Sequence, residues 1–298
     1  MWPLFDLEVE YRKHPAIKRE DVQKILKWVD AQPHMPKLWE QEILLFYNAC
    51  GMQTEYTKQV IDAYYTFRTH TEELFGDLDV NSPQMQLALK TSPGFPLNER
   101  TKEGYGIVIG KIMDPNPANF DFAASEKIVC AALDMWLHNT GLIPGIMVVF
   151  DLENMAFGHM ARMNVLLMKK LFYFFQETIP VRLVCVHFIN PPSIMEKLMS
   201  LMNPFIKKEL KDAFIVHPNL ESFYKYIPRN ILPKDFGGDS GSCSELMETF
   251  NEQLLSNRSN IIEFNNSRRV NEKLRPEKTK SHINNLGTQG NFKKLDID

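Results

Sequence analysis

No run of about 18 consecutive apolar residues, the length that spans a bilayer, occurs in this 298-residue chain. The longest apolar zone, Met163 to Phe175, is cut by Lys169 and Lys170. A basic surplus is also missing: 34 Lys and Arg face 37 Asp and Glu, for a net charge of -3. A dedicated nucleic-acid binder carries cationic excess to displace counterions, so nucleic acid is not an expected partner. Cysteine is scarce, with only Cys50, Cys130, Cys185 and Cys243 and no C-x-x-C. That excludes a disulfide scaffold and suggests buried free thiols in a reducing, cytoplasmic setting. Glycine, at 14 residues, excludes a collagen-like repeat. Asp6, Glu8 and Glu10 fall where a secretory signal needs an uninterrupted apolar run. The sequons at Asn257 and Asn265 therefore read as chance matches. What the chain does have, 44% hydrophobic and 24% charged residues, is enough apolar surface to exclude a wholly disordered protein.

Catalytic patterns are absent as well. There is no H-E-x-x-H, no Cys/His cluster with metal spacing and no G-x-S-x-G elbow. GGDSGS at 237–242 has the look of a serine-protease nucleophile, but no histidine sits in the matching context. It reads as a turn. GYGIVIG at 104–110 has its third glycine one residue late for a dinucleotide fingerprint, and falls within a strand. His187 is a candidate general base, against the commoner role of a core histidine with satisfied ring nitrogens. His159 reads as a helix cap. No nucleophile, base and orienter come together, and the protein is expected not to be an enzyme.

The chain divides into three stretches. Residues 1–75 read as helical. Val22, Ile25, Leu26 and Val29 follow the i, i+3, i+4, i+7 rule, a second helix stops near Cys50-Gly51, and a third begins near Thr54. Residues 83–240 alternate strands with helices: strand 105–113, helix 121–138, strand 146–151, helix 159–177, strand 182–189, a helix from Pro191 to Leu210, and a short strand 214–216. That order predicts an α/β domain with parallel pairing. Residues 241–298 give one helix, about 244–257, and then an Asn- and Lys/Arg-rich tail expected to be extended.

Soft apolar bulk is concentrated in one place. Eight of the 15 methionines lie between Met147 and Met202, with Phe150, Phe157, Phe172, Phe174, Phe175, Phe188 and Phe205. Flexible thioethers suit an adaptable cavity. Ile194, Leu198, Leu201, Met202 and Phe205 form one stripe of an amphipathic helix. Pro191-Pro192 precede it and Pro204 interrupts it, an arrangement suited to a moving lid.

Four segments, VFDLENMAFGHM, KKLFYFFQETIPVRLVCVHFINPP, NPFIKKELKDAFIVH and ILPKDFGG, resemble in order and spacing the CRAL-TRIO domain. This is the lipid-binding domain of cellular retinaldehyde-binding and α-tocopherol transfer proteins. The helical region 15–75 is similar to the short helical domain that precedes it in the family. The ending LGTQGNFKKLDID resembles that of insect α-tocopherol-transfer-protein-like members. The resemblance implies a mixed-sheet floor, helical walls and a gate helix over a closed apolar pocket. Carried over by position, the gate is Pro191 to Leu210. The lining is Ile128, Ala132, Ile146, Phe150, Met163, Leu171, Phe174, Phe175, Leu183, Val186, Ile194, Leu198, Leu201 and Met202. Some members hold phosphoinositide head groups in a basic cleft beside the gate. Of that set Arg182 is retained, while the other positions align with Gln59, Val184, Glu209 and Ala213; Lys207, Lys208 and Lys211 offer compensating charge.

The resemblance thus implies a monomeric, cytoplasmic, non-catalytic carrier with no cofactor. It would bind one hydrophobic molecule of the tocopherol or retinoid class and touch membranes transiently. A phospholipid-exchange or phosphoinositide-presenting protein of the same fold is the alternative. An enzyme on a lipophilic substrate is the third reading, and lacks a catalytic constellation.

Overall fold

The computed structural model describes residues 4–276. The chain starts with helices α1 (Leu7–Lys13), α2 (Arg19–Asp30), α3 (Glu40–Ala49), α4 (Thr54–His70) and α5 (Glu72–Phe75). Val22, Ile25 and Val29 are the buried face of α2, which docks on α3 and α4. The run Ile43–Tyr47 of α3 is buried all round, which makes α3 the centre of this bundle. The stop expected at Cys50-Gly51 is real: α3 ends at Ala49, and Gly51 takes φ +62°, the left-handed conformation glycine adopts without a Cβ clash.

Next come α6 (Pro83–Thr91), β1 (Gly94–Pro96), β2 (Gly106–Lys111), α7 (Phe122–Thr140), β3 (Ile146–Asp151), α8 (Phe157–Ala161), α9 (Val165–Tyr173), β4 (Leu183–Ile189), α10 (Met195–Met202) and β5 (Phe214–Val216). The sheet order is β1-β2-β3-β4-β5, with β1 antiparallel to β2 and the other neighbours parallel. The fold is mixed α/β behind a helical N-terminal unit. One face of the sheet points into a core shared with α3, α4 and α9. The other is covered by α11 (Leu220–Phe223), α12 (Cys243–Ser256) and the turns between them. Covered on both faces, the strands are as apolar as parallel strands need to be.

Several elements depart from the sequence pattern. α6 and β1 were not foreseen; Pro83 starts α6 because the first helical position needs no N–H. The helix expected over 159–177 is broken at Arg162–Asn164, where the Asn164 side chain caps α9 by accepting from Leu167 N at 3.0 Å. α9 then runs into a π turn, Phe174–Thr178. The helix expected from Pro191 to Leu210 is helical only over Met195–Met202. Pro204 supplies no N–H and starts a 3-10 turn, and Lys208–Ala213 forms a second one.

The basic tail is not extended where it is described. It forms α13 (Arg258–Ser267), and its arginines penetrate the helical bundle. Arg268 makes a two-pronged ion pair with Glu42, at 2.9 and 2.8 Å, and Glu42 also accepts from Tyr65 Oη at 2.7 Å. Arg275 pairs with Asp62 at 2.9 and 3.0 Å. Asn265 is buried, donating to the Phe75 carbonyl at 2.8 Å, so that sequon is not presented to solvent. The C-terminal segment LGTQGNFKKLDID lies outside the described residues.

Candidate functional site

A cavity of about 240 Å³ lies between the inner face of the sheet and helices α7, α9 and α10. α7 presents Phe122, Ser125, Glu126, Val129, Ala132, Leu133 and Trp136 to it, the i, i+3, i+4, i+7 face of one helix. The floor is Val108 and Gly110 of β2, Ile146, Val148 and Phe150 of β3, Leu183, Val186 and Phe188 of β4, and Phe214 of β5. Gly110 is there for closeness: a Cβ at this position would sit 2.9 Å from the Phe150 ring. Met168, Leu171, Phe172 and Phe175 close the α9 side, and Leu198 and Met202 of α10 cover it.

Ten of the fourteen residues named from the sequence stand on this lining: Ala132, Ile146, Phe150, Met163, Leu171, Phe175, Leu183, Val186, Leu198 and Met202. Strict alternation would put Leu183 and Val186 on opposite faces. The register shift between β3 and β4 pairs Ile146 with Leu183 but Met147 with Cys185. Val184 is thus the extra residue of a bulge, which turns Cys185 to the opposite face from Leu183 and so brings Val186 back to the Leu183 face.

Four positions need correction. Ile128 is wholly buried, but in the second core, with Met85 and Ala131; the α7 face turned to the cavity is one residue on, at Val129. Phe174 points the other way, its ring 5.7, 5.2 and 5.6 Å from Tyr64, Phe67 and Phe75 of the helical unit. Ile194 is the non-helical residue before α10, packed on the core beside the cavity. Leu201 is half-buried on the flank of α10, off the Leu198–Met202 line.

Six lining residues carry charged, hydroxyl or amide side chains: Ser92, Lys111, Ser125, Glu126, Asp151 and Gln176. Five are engaged within the protein. Lys111 and Asp151 form a buried ion pair, and the Ser92 and Ser125 hydroxyls bond each other. Gln176 donates to the carbonyls of Phe172 and Phe205, at 2.9 and 3.0 Å, and accepts from Lys207 N at 2.8 Å. It thereby ties the segment after α10 to the end of α9. Glu126 has no hydrogen-bond or ion-pair partner among the described residues, and burial pushes its carboxyl up to about 7. Sequence reasoning passed over Glu126; its signal was an acid at the fourth position after Phe122, inside an otherwise apolar stripe.

The segment that carries α10 has a distinctive joint at each end. Asn190 adopts φ +50°, unusual for a residue with a side chain. Its amide donates to Asp151 Oδ1 at 2.8 Å. Pro191 and Pro192 follow. At the far end Lys207 pairs with Glu177 beside the Gln176 tie. Phe157, 57% exposed, has its ring 5.9 Å from Lys197 of α10, and Leu166 and Val165 at the start of α9 are 73% and 45% exposed. This apolar surface was not seen in the sequence as a surface.

The basic set is dispersed in its contacts. Arg182 donates to the Pro144 carbonyl and to Tyr105 Oη, both at 3.3 Å. Lys207 is taken up by Glu177, while Lys208 and Lys211 are exposed on a 3-10 turn. Among the described residues no helix is long and apolar enough to cross a membrane, and no group of His, Cys, Asp and Glu could hold a metal ion.

His187 is no base for chemistry in the cavity. It lies on the opposite face of the sheet, between Cys185 Sγ and His217 Nε2, both at 2.9 Å, and His217 reaches Ser222 Oγ at 3.1 Å. Burial holds His187 down at about 4 and the Cys185 thiol up at about 11, so this chain of contacts stays uncharged. His159 accepts from Ala156 N at 3.1 Å and caps α8. Ser242 caps α12, accepting from Glu245 N at 3.3 Å.

A two-sided sheet with an apolar cavity on one face, and a helix preceded by Pro191-Pro192 over it, are matched by a known family. A model of the CRAL/TRIO domain fits residues 91–238. The chain belongs to the CRAL-TRIO family. The helices before the CRAL-TRIO region match a Pinta-like, UBA domain over residues 14–85. Among curated relatives, alpha-tocopherol transfer protein-like of Homo sapiens is 23% identical over 257 residues, covering 85% of this chain and 74% of its own. Clavesin-1 of Mus musculus is 25% identical over 239 residues, covering 77% and 66%. The crystal structure of Sfh5 shares the fold, with a TM-score of 0.50 at 14% identity, covering 87% of this chain and 99% of that one.

Proposed function

We propose that this CRAL-TRIO protein carries one hydrophobic small molecule of the tocopherol or retinoid class and exchanges it at membrane surfaces by moving α10. The observation that supports this reading is the cavity, whose lining is almost wholly apolar and whose cover includes Leu198 and Met202 of the hinged helix. A filled core would leave no such space, because interiors pack to crystal-like density. The likeness to a tocopherol-transfer-like protein accords with the ligand class. The carrier reading is non-catalytic: the lining holds one ion pair, one hydroxyl pair and one free carboxyl, which do not make a nucleophile with its base.

The direct test is mass spectrometry of an organic extract of the purified protein, followed by thermal shift on re-addition. A prenyl-type lipid that stabilises the stripped protein supports the proposal; ligand at ~100 times its Kd adds about 2.7 kcal/mol. A co-purifying phospholipid would favour the alternative. No stabilisation by any lipid would sink both.

The membrane step is assigned to three exposed apolar side chains, Phe157 beside Lys197 of α10 and Val165 and Leu166 at the start of α9. Leu166→Glu should slow transfer between liposomes by on the order of tenfold, because a charge opposes insertion among lipid tails. Its melting temperature should stay within a degree or so, since exposed substitutions rarely cost more than ~0.5 kcal/mol. Unchanged transfer kinetics would remove this surface from the docking face.

A further inference from the structure

The carrier reading leaves open what fixes the polar end of the ligand. We propose that Glu126 is the polar anchor of the cavity and selects a lipid ending in a free alcohol or phenol hydroxyl. This rests on the proposed carrier function, and deepens it.

Of the six lining residues with charged, hydroxyl or amide side chains, five have their polar groups engaged within the protein. Lys111 is spent on Asp151 and Glu153. Asp151 also accepts from Asn190. Ser125 donates to the Asp121 carbonyl at 2.8 Å and shares the remaining hydroxyl contact with Ser92. Gln176 is saturated by Phe172, Phe205 and Lys207. Glu126 brings to the cavity a carboxyl that no described residue pairs with. Glu126 is partly buried and opens on the cavity, where an unpaired carboxyl in an apolar lining is costly and a ligand group that pairs with it gains correspondingly.

The carboxyl also determines which head group fits. Burial holds it near half-protonation at neutral pH. A hydroxyl can donate to the ionised form and accept from the protonated one, so it is served in both states. A lipid ending in a carboxylate or phosphate meets like charge whenever Glu126 ionises. An ether or ester offers no donor and leaves the carboxylate unpaired. An ammonium would bring three N–H groups to a single carboxylate in an otherwise apolar lining, and would be served only by its ionised form.

The test titrates the full-length, lipid-stripped protein with all-trans-retinol and α-tocopherol, each against its methyl ether, and with retinoic acid. Each alcohol should bind on the order of tenfold tighter than its ether. Glu126→Leu should abolish that preference, while Glu126→Gln, which keeps an acceptor oxygen, should retain most of it. Retinoic acid should bind the native protein poorly and gain on Glu126→Gln. Melting curves establish that the variants are folded, and the retinoic acid arm suffices if the leucine variant is not. Equal binding of alcohol and ether, or a preference that survives in Glu126→Leu, would overturn the anchor while the carrier function stands. No binding of any compound, or of a total lipid extract, would overturn the carrier function and the anchor together.

Discussion

Arg68→Met should destabilise the protein by about 3–5 kcal/mol, the usual cost of removing one partner of a buried ion pair. Arg68 is 1% exposed. Its Nη1 lies 2.6 Å from Asp134 Oδ2 on α7 and 2.9 Å from Tyr64 Oη, and Tyr64 donates to Asp134 Oδ1 at 2.6 Å. Nη2 reaches Asn265 of α13 at 3.3 Å, and the guanidinium lies 4.4 Å from the Phe75 ring centroid. Methionine fills similar volume but leaves the Asp134 carboxylate facing Tyr64 alone. Arg68→Met with Asp134→Leu should recover much of the loss, since apolar replacement of a whole buried pair is often neutral. Urea denaturation of the single and double variants checks both statements. A loss below ~1 kcal/mol for the single change would mean the network is not what joins α4, α7 and α13.

The second large effect is on pH dependence. Between about pH 4.5 and 7 the stability of the ligand-free protein should fall relative to Glu126→Gln, reaching a deficit of roughly 3 kcal/mol above pH 7. The sign follows from proton counting. Unfolding returns the Glu126 carboxyl from about 7 to its ordinary 4.5, so the folded state binds the extra proton in that window. Rising pH therefore favours unfolding. The surroundings supply no compensating charge. Lys111 and Asp151 across the cavity neutralise each other, Lys127 turns to the Gly76 carbonyl, and burial keeps the Cys130 thiol protonated. Paired denaturation curves at several pH values give the difference directly. A flat difference would show that water reaches the carboxyl and restores its ordinary titration.

Much of the site was legible because its elements obey simple periodicities. Strand Ile146–Asp151 matches the apolar run residue for residue, and the Leu198–Met202 pair follows from helical spacing. The misses have common physical causes. Ile128 for Val129 is a rotation of about 100° on a helix buried on several sides, where apolar pattern alone does not say which side faces the space. Arg268 and Arg275 fell in a tail expected to be extended because their acids, Glu42 and Asp62, lie more than 200 residues away in sequence. The early end of the helix expected over 191–210 was signalled by Pro204, whose breaking effect the wide apolar stripe masked.

The π turn Phe174–Thr178 has a consequence for how this chain tolerates change in length. A π turn holds one residue more than an α turn. Within it Phe174 meets the helical unit, Phe175 the cavity, Gln176 the backbone after α10 and Glu177 the Lys207 ammonium. Deleting one residue here would let the turn relax to a regular α-helix with the chain beyond it still in register, because the lost residue and the lost π turn cancel. The cost would fall on the contacts inside the turn, since four successive residues serve different surfaces and a turn with one residue fewer cannot serve them all. A single-residue deletion should therefore leave the fold standing while it loosens either the cavity wall or the Gln176 contact with Phe205 and Lys207.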